Sequence, residues 1–160
     1  MKFHILCGIP GSGKSTIARR LPGYVVSTDT IRKFLWQDES VVKHDKLVFH
    51  LAESISNYLL ALGEDVIFDA TNLTIVKRRR YINLARRYHA TVTLHWVNCP
   101  LQTAIERNSR RERKVPVTVI KSLYNSFQKP KLEEGIDVIK VYGQGLNLTK
   151  VILPDRIVKR

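Results

Sequence analysis

The chain has 160 residues, 44% of them apolar, which suits one domain with its own core rather than several. No run of about eighteen consecutive apolar residues occurs and no secretory leader precedes the first strand-like run, which argues against a helical membrane span and places the protein in the cytoplasm. Lys and Arg outnumber Asp and Glu by 27 to 14, and this net charge of +13 calls for an acidic partner.

In chain order, residues 3–8 (FHILCG) read as a short strand that breaks into GIPGSGKST before a helix at 14–21. Gly8, four intervening residues and Gly13-Lys14-Ser15 form a phosphate-binding loop between a strand and a helix, the context its mechanism requires. Glycines let the backbone curl so that N–H groups face phosphate oxygens; Lys14 then reaches the β- and γ-phosphates and Ser15 holds Mg2+. Pro10, Gly11, Ser12 and Thr16 complete the expected nucleotide cradle.

A strand at 24–27 and a helix at 30–37 follow, joined by STDTIR. Asp29 reads as a helix N-cap, or as a carboxylate aimed at the acceptor; Arg32, about one turn on, shares its helix face. An Asp placed there accepts the proton of an attacking hydroxyl and an Arg grips an anionic part of the acceptor, and the catalytic reading is the stronger. A long helix at 44–62 repeats apolar residues at spacings of three and four and stops at Gly63.

The strand at 66–69 ends VIFDATN. Asp69 sits where a carboxylate orients Mg2+; Asn72, alone or with Thr71, either contacts the acceptor or makes the turn. Then come a helix at 75–88, a strand at 91–98, helices at 101–112 and 117–128, a strand at 138–142, and a loose tail around GQGLNLTK with a basic end. Arg107 and Arg111 stack along one helix face ahead of Pro116, which describes a lid over about 107–116 carrying an arginine finger. Apolar strands alternating with helices predict an α/β fold, a mostly parallel sheet covered on both faces.

The basic residues cluster in KRRRYINLARR (77–87) and RNSRRERK (107–114). One such run is readily a solvated helix face; two in a chain this small favour a polyanion, with Arg78 and Arg79 among the surface contacts. Cys7 and Cys99 read as buried thiols, the five histidines lack metal or triad spacing, and Phe34, Trp36, Tyr88 and Trp96 read as core rather than as base-stacking platforms.

GIPGSGKST, STDTIR, VIFDATN, ERNSRR with KVPVTVI, and EEGID together resemble the 5′-hydroxyl polynucleotide kinases, both the phage type and the kinase module of bacterial RNA-repair polynucleotide kinase-phosphatases. The resemblance runs in order from about residue 3 to Val138. It implies an adenylate-kinase-like P-loop NTPase fold with a helical lid, and transfer of the γ-phosphate of ATP, with Mg2+, to the 5′-OH end of RNA or DNA during repair. It further implies Lys14 and Ser15 on the ATP phosphates and Mg2+, Asp29 as general base, Arg32 on the phosphate beside the reacting hydroxyl, and Arg107 and Arg111 as lid arginines. One departure is Thr30, where phage-type enzymes tend to carry a second acidic residue. With no phosphatase or ligase module alongside, residues 1–160 read as a single kinase domain, stand-alone or excised from a larger enzyme.

Two other functions fit parts of the pattern. The same chemistry serves a small metabolite, a nucleotide sugar or an aminoacylated tRNA, and net +13 argues against the small substrates. A non-catalytic ATP-binding nucleic-acid module has no need of a base and an arginine aimed at a hydroxyl.

Overall fold

The apolar runs of the sequence become the strands of a single sheet in the computed structural model, which describes residues 1–155. In chain order the elements are β1 (Lys2–Cys7), α1 (Lys14–Arg20), β2 (Tyr24–Ser27), α2 (Thr28–Trp36), α3 (Asp45–Ala61), β3 (Val66–Asp69), α4 (Ile75–Arg87), β4 (Thr91–Val97), α5 (Leu101–Ser109), α6 (Val117–Ser126), a 3-10 turn (Leu132–Glu134), β5 (Val138–Tyr142) and β6 (Leu148–Ile152). The strand order is β2-β3-β1-β4-β5-β6, parallel throughout except for the antiparallel β5–β6 pair.

Central strands covered on both faces must be apolar on both, and β1 and β3 are buried almost end to end. Phe3, Ile5 and Cys7 point to one face, where Phe68, Leu94 and residues of α3 and α4 form the larger core. Leu6 points to the other, against Ile67, Val97 and the α1 residues Ile17 and Ala18. A third cluster of Ile9, Leu73, Cys99, Ala104 and Ile120 seats α5 and α6 beside the end of β1. Both cysteines are buried and free, and burial pushes the Cys7 thiol up to about 12, so it behaves as a small apolar group. No helix among the described residues is long and apolar enough to cross a membrane.

Several local expectations are corrected. Residues 143–150 are not a loose tail: Gly143 to Asn147 make the turn of the β5–β6 hairpin, closed by Gly143 N–H to Asn147 O at 3.0 Å. Strand β6 escapes sequence reading because it is an edge strand with almost no buried side chain. The basic end beyond Asp155 lies outside the described residues. Helix α5 stops at Ser109 instead of running to 112, since Asn108 folds its side chain back onto both backbone groups of Val115, at 2.7 and 2.9 Å.

Arg78 is no surface contact at all. It is fully buried, with Nε and Nη2 donating to the two carboxylate oxygens of Glu134 at 2.8 and 2.9 Å and Nη1 to Asn72 O at 3.0 Å. Phe34 is the exception among the aromatics expected in the core, being 79% exposed. The histidines, scattered in sequence, include one contacting pair: His4 Nδ1 lies 2.9 Å from His95 Nε2, and His95 Nδ1 lies 2.8 Å from the Tyr142 hydroxyl.

Candidate active site

At the carboxyl end of β1 the chain turns through Gly8–Gly13 into α1. Gly11 and Gly13 have φ of 82° and 103°, and a Cβ would meet Ala104 O at 2.4 Å from the first and a Leu146 methyl at 2.6 Å from the second. Only glycine satisfies both the left-handed backbone and the close approach. Lys14 opens α1 and bends its ammonium back to donate to Ile9 O at 3.0 Å. Burial lowers its pKa, opposed by the carboxylates of Asp69 and Asp29.

Ser15 Oγ donates to Asp69 Oδ2 at 2.8 Å, linking the first turn of α1 to the end of β3. Burial raises the Asp69 pKa, and the Lys14 charge and the Ser15 bond pull against it. A hydroxyl and a carboxylate so placed fit Mg2+ at a nucleotide's phosphates. Among the described residues no group of three or more His, Cys, Asp or Glu is placed to hold a metal ion, so the fit is to an ion that takes its remaining ligands from water or a bound phosphate.

Helix α2 carries the second half of the site. Its N-cap is Ser27, whose Oγ accepts from Thr30 N–H at 3.3 Å, and this leaves the Asp29 carboxylate free of capping duty. That side chain is 53% exposed toward the cleft, and Arg32 Nη1 donates to its Oδ1 at 2.8 Å. The other edge of Arg32 holds Asp45, the first residue of α3, through Nε and Nη2 at 2.9 and 3.0 Å. Burial opposes the charge on Arg32, but the two carboxylates outweigh it and its pKa is raised.

The segment after α5 closes the remaining side. Arg107 donates to Ser12 O at 3.1 Å and to Gln144 O, bracing the loop against the β5–β6 turn. Arg111 lies beyond the helix end, exposed, yet it borders the same cleft as Arg107. Arg113 reaches across to Glu39, at 3.0 Å from its backbone oxygen and 3.2 Å from its carboxylate. Lys14, Ser15, Asp69, Asp29, Arg32, Asp45, Glu39, Arg107, Arg111 and Arg113 line one cleft of about 590 Å³.

The AAA domain family model (AAA_33) matches residues 3–130, spanning the loop, both acidic residues and the segment after α5. The chain belongs to this family. This P-loop kinase domain is 29% identical over 139 residues to the L-seryl-tRNA(Sec) kinase of Methanococcus maripaludis, covering 79% of the chain and 52% of that protein. It is 28% identical over 142 residues to a protein of Autographa californica nuclear polyhedrosis virus inferred to be a bifunctional polynucleotide kinase/RNA ligase, covering 78% of the chain and 20% of that protein. It thus spans about half the length of the first relative and a fifth of the second. Among solved structures, a chain of the Pnkp1/Rnl/Hen1 RNA repair complex superposes with TM-score 0.69 at 24% identity, covering 78% of this chain and 43% of that one. A sugar kinase from Janibacter sp. superposes with TM-score 0.66 at 17% identity over 92% and 87% of the two chains. These two likenesses show the fold.

Most residues expected in the site of this kinase domain do line the cleft: Pro10, Gly11, Gly13, Lys14, Ser15, Thr16, Asp29, Arg32, Asp69, Thr71, Arg107 and Arg111. Asn72 does not. It is 2% exposed, adopts φ 48°, and donates through Nδ2 to Leu6 O at 2.7 Å, so it braces the turn after β3 rather than facing the acceptor. Gly8 and Ser12 are also buried beneath the loop rather than open to the cleft. Sequence reading missed Asp45, Phe49, Glu39 and Lys77 on the cleft wall. Asp45 carried one usable signal, an acidic residue in the first turn of a long helix.

Proposed function

We propose that this chain is an ATP-dependent polynucleotide kinase that phosphorylates the 5′-OH end of RNA or DNA during repair. The observation that carries the reading is the Asp29–Arg32 pair, 2.8 Å apart and lining the same cleft as Lys14 and Ser15. The Asp29 carboxylate takes the proton of the acceptor hydroxyl as its oxygen attacks the γ-phosphorus and ADP leaves, while Arg32 holds the phosphate beside that hydroxyl. Lys14 and the lid arginines Arg107 and Arg111 meet the charge that develops on the transferring phosphoryl. Mg2+, held by Ser15 and Asp69, would supply further neutralisation of the ATP phosphates.

The net charge of +13 and the names of the viral relative and the RNA-repair neighbour support a nucleic-acid acceptor, whose reacting end this reading takes to be single-stranded. In this reading residues 1–160 act in the cytoplasm as one kinase unit, with 107–116 as its lid. A second reading, an aminoacylated-tRNA kinase, is favoured by the archaeal relative, whose substrate is a seryl-tRNA and which suits the same basic charge.

Incubation with γ-labelled ATP and Mg2+ against 5′-OH oligonucleotides, nucleoside 3′-monophosphates, seryl-tRNA and sugars separates these readings. Label on the oligonucleotide 5′ end, with an acceptor KM that climbs with salt, is the expected result; single strands give a slope of log affinity on log salt of about −0.7 per phosphate contacted. Label confined to seryl-tRNA, or to an uncharged sugar, would overturn it.

A further inference from the structure

Arg32 is only 9% exposed, yet two carboxylates from different elements converge on it. One guanidinium edge gives paired bonds to both oxygens of Asp45, at 2.9 and 3.0 Å, the arrangement with which arginine holds either a carboxylate or a phosphate. Its carbon sits 5.9 Å from the centroid of the Phe49 ring, so packing as well as charge fixes its position. The Asp45 side chain, by contrast, is 36% exposed on the cleft wall and bonds through its carboxylate to Arg32. A fixed, buried cation thus faces a solvent-reachable anion at the place where the acceptor's phosphate is expected.

We propose that Asp45 is a specificity-determining residue: its carboxylate occupies the Arg32 edge as an internal stand-in until a phosphate next to the acceptor's reacting hydroxyl displaces it. The inference rests on the phosphate-bearing acceptor proposed above. Displacement exchanges one pair of bonds for another on the same edge and releases Asp45 to water, while Asp29 keeps its own bond through Nη1. An anion that cannot match both bonds does not complete the exchange, and two anions on one edge repel each other, so Asp45 sets the threshold an acceptor must exceed. It also keeps the buried guanidinium paired when no acceptor is present.

Calorimetric titration of a nucleoside 3′-monophosphate, the same nucleoside without phosphate, and inorganic sulfate into the wild type and Asp45→Asn tests this. The Asn variant should bind the monophosphate about fivefold tighter or more, the effect of deleting one unit charge about 4 Å from another even in water. Sulfate should gain, the bare nucleoside should not, and Asp45→Glu should restore the wild-type pattern. The acceptor KM in the transfer assay should fall in parallel. Equal or weaker monophosphate binding by Asp45→Asn would make Asp45 a brace for Arg32 and overturn the proposal; if that variant does not fold, Asp45→Ser carries the same comparison. Tighter binding by the variant with no transfer to any 5′-OH oligonucleotide sinks the polynucleotide reading alone. Transfer with an unchanged acceptor KM sinks the Asp45 proposal alone, and no monophosphate binding by either protein sinks both.

Discussion

Ser15 and Asp69, 54 residues apart, share a hydrogen bond of 2.8 Å that pins the first turn of α1 to the end of β3. In the proposed reading this hydroxyl and carboxylate serve a magnesium ion on the ATP phosphates. Asp69→Ala should lower apparent magnesium affinity by about 10- to 100-fold in transfer assays, the usual cost of losing a supporting ligand. ATP binding measured in chelator should change little. A magnesium titration of kcat that superposes on the wild type would remove Asp69 from the metal site.

Lys14→Ala and Asp29→Ala should both abolish transfer but separate in nucleotide binding. In the proposed reading Lys14 meets the triphosphate, so its loss should weaken ATP binding, whereas Asp29 acts on the acceptor and its loss should leave ATP binding nearly intact; both side chains line the cleft. Fluorescent-nucleotide titration distinguishes them. Near-normal turnover by Asp29→Ala would end its assignment as base.

Arg111 is exposed and makes no bond to the loop, unlike Arg107, which is already engaged with Ser12. An arginine that meets charge only in the transition state contributes to kcat and not to ground-state binding. Arg111→Ala should therefore lower kcat by about a thousandfold with KM for ATP little changed. A variant with wild-type kcat would make it one more solvated charge.

Arg78 and its neighbour Arg79 should part company. Arg78→Ala strips the partner from Glu134, whose side chain is only 7% exposed, and should cost about 3–5 kcal/mol in urea unfolding. Arg79 is exposed, so Arg79→Ala should leave stability within about 0.5 kcal/mol and instead flatten the salt dependence of long acceptors. Equal stability of the two variants would contradict the buried pair.

Burial holds the His95 imidazole down at about 3, and the nearby charges of His4 and Lys140 act in the same direction. In the unfolded chain the ring takes a proton near pH 6.5, so below that pH the unfolded state binds more protons and stability falls as pH drops toward 3. Above pH 6.5 the contribution is fully present. Urea midpoints between pH 7 and 4 should show this decline, and His95→Gln should reduce its slope; an unchanged slope would assign the acid sensitivity elsewhere.

What the sequence made legible is what local spacing encodes. Asp29 and Arg32 lie one helical turn apart, and the glycine loop is bounded by its own strand and helix, so a few consecutive residues carry their geometry. Asp45 on Arg32, Glu39 on Arg113, Glu134 on Arg78 and His4 on His95 were hidden because each pair meets only through tertiary packing. Arg78 shows the cost of reading a charge run as uniform surface: one residue of KRRR turns inward while Arg79 and Arg80 stay out. Strand β6 was lost for the opposite reason, since almost none of its side chains is buried and the period-two signal is missing.

The turn between β5 and β6 sets Leu146 against Gly13, and the Leu146 carbonyl accepts from Arg20 at 2.9 Å. The glycine loop is therefore buttressed by a stretch from the opposite half of the chain. The Arg20–Leu146 bond spans 126 residues of sequence, so making it closes a long loop of the chain. The hairpin therefore backs the glycine loop without itself lining the cleft, so a change in the turn would reach the loop through Gly13 and Arg20.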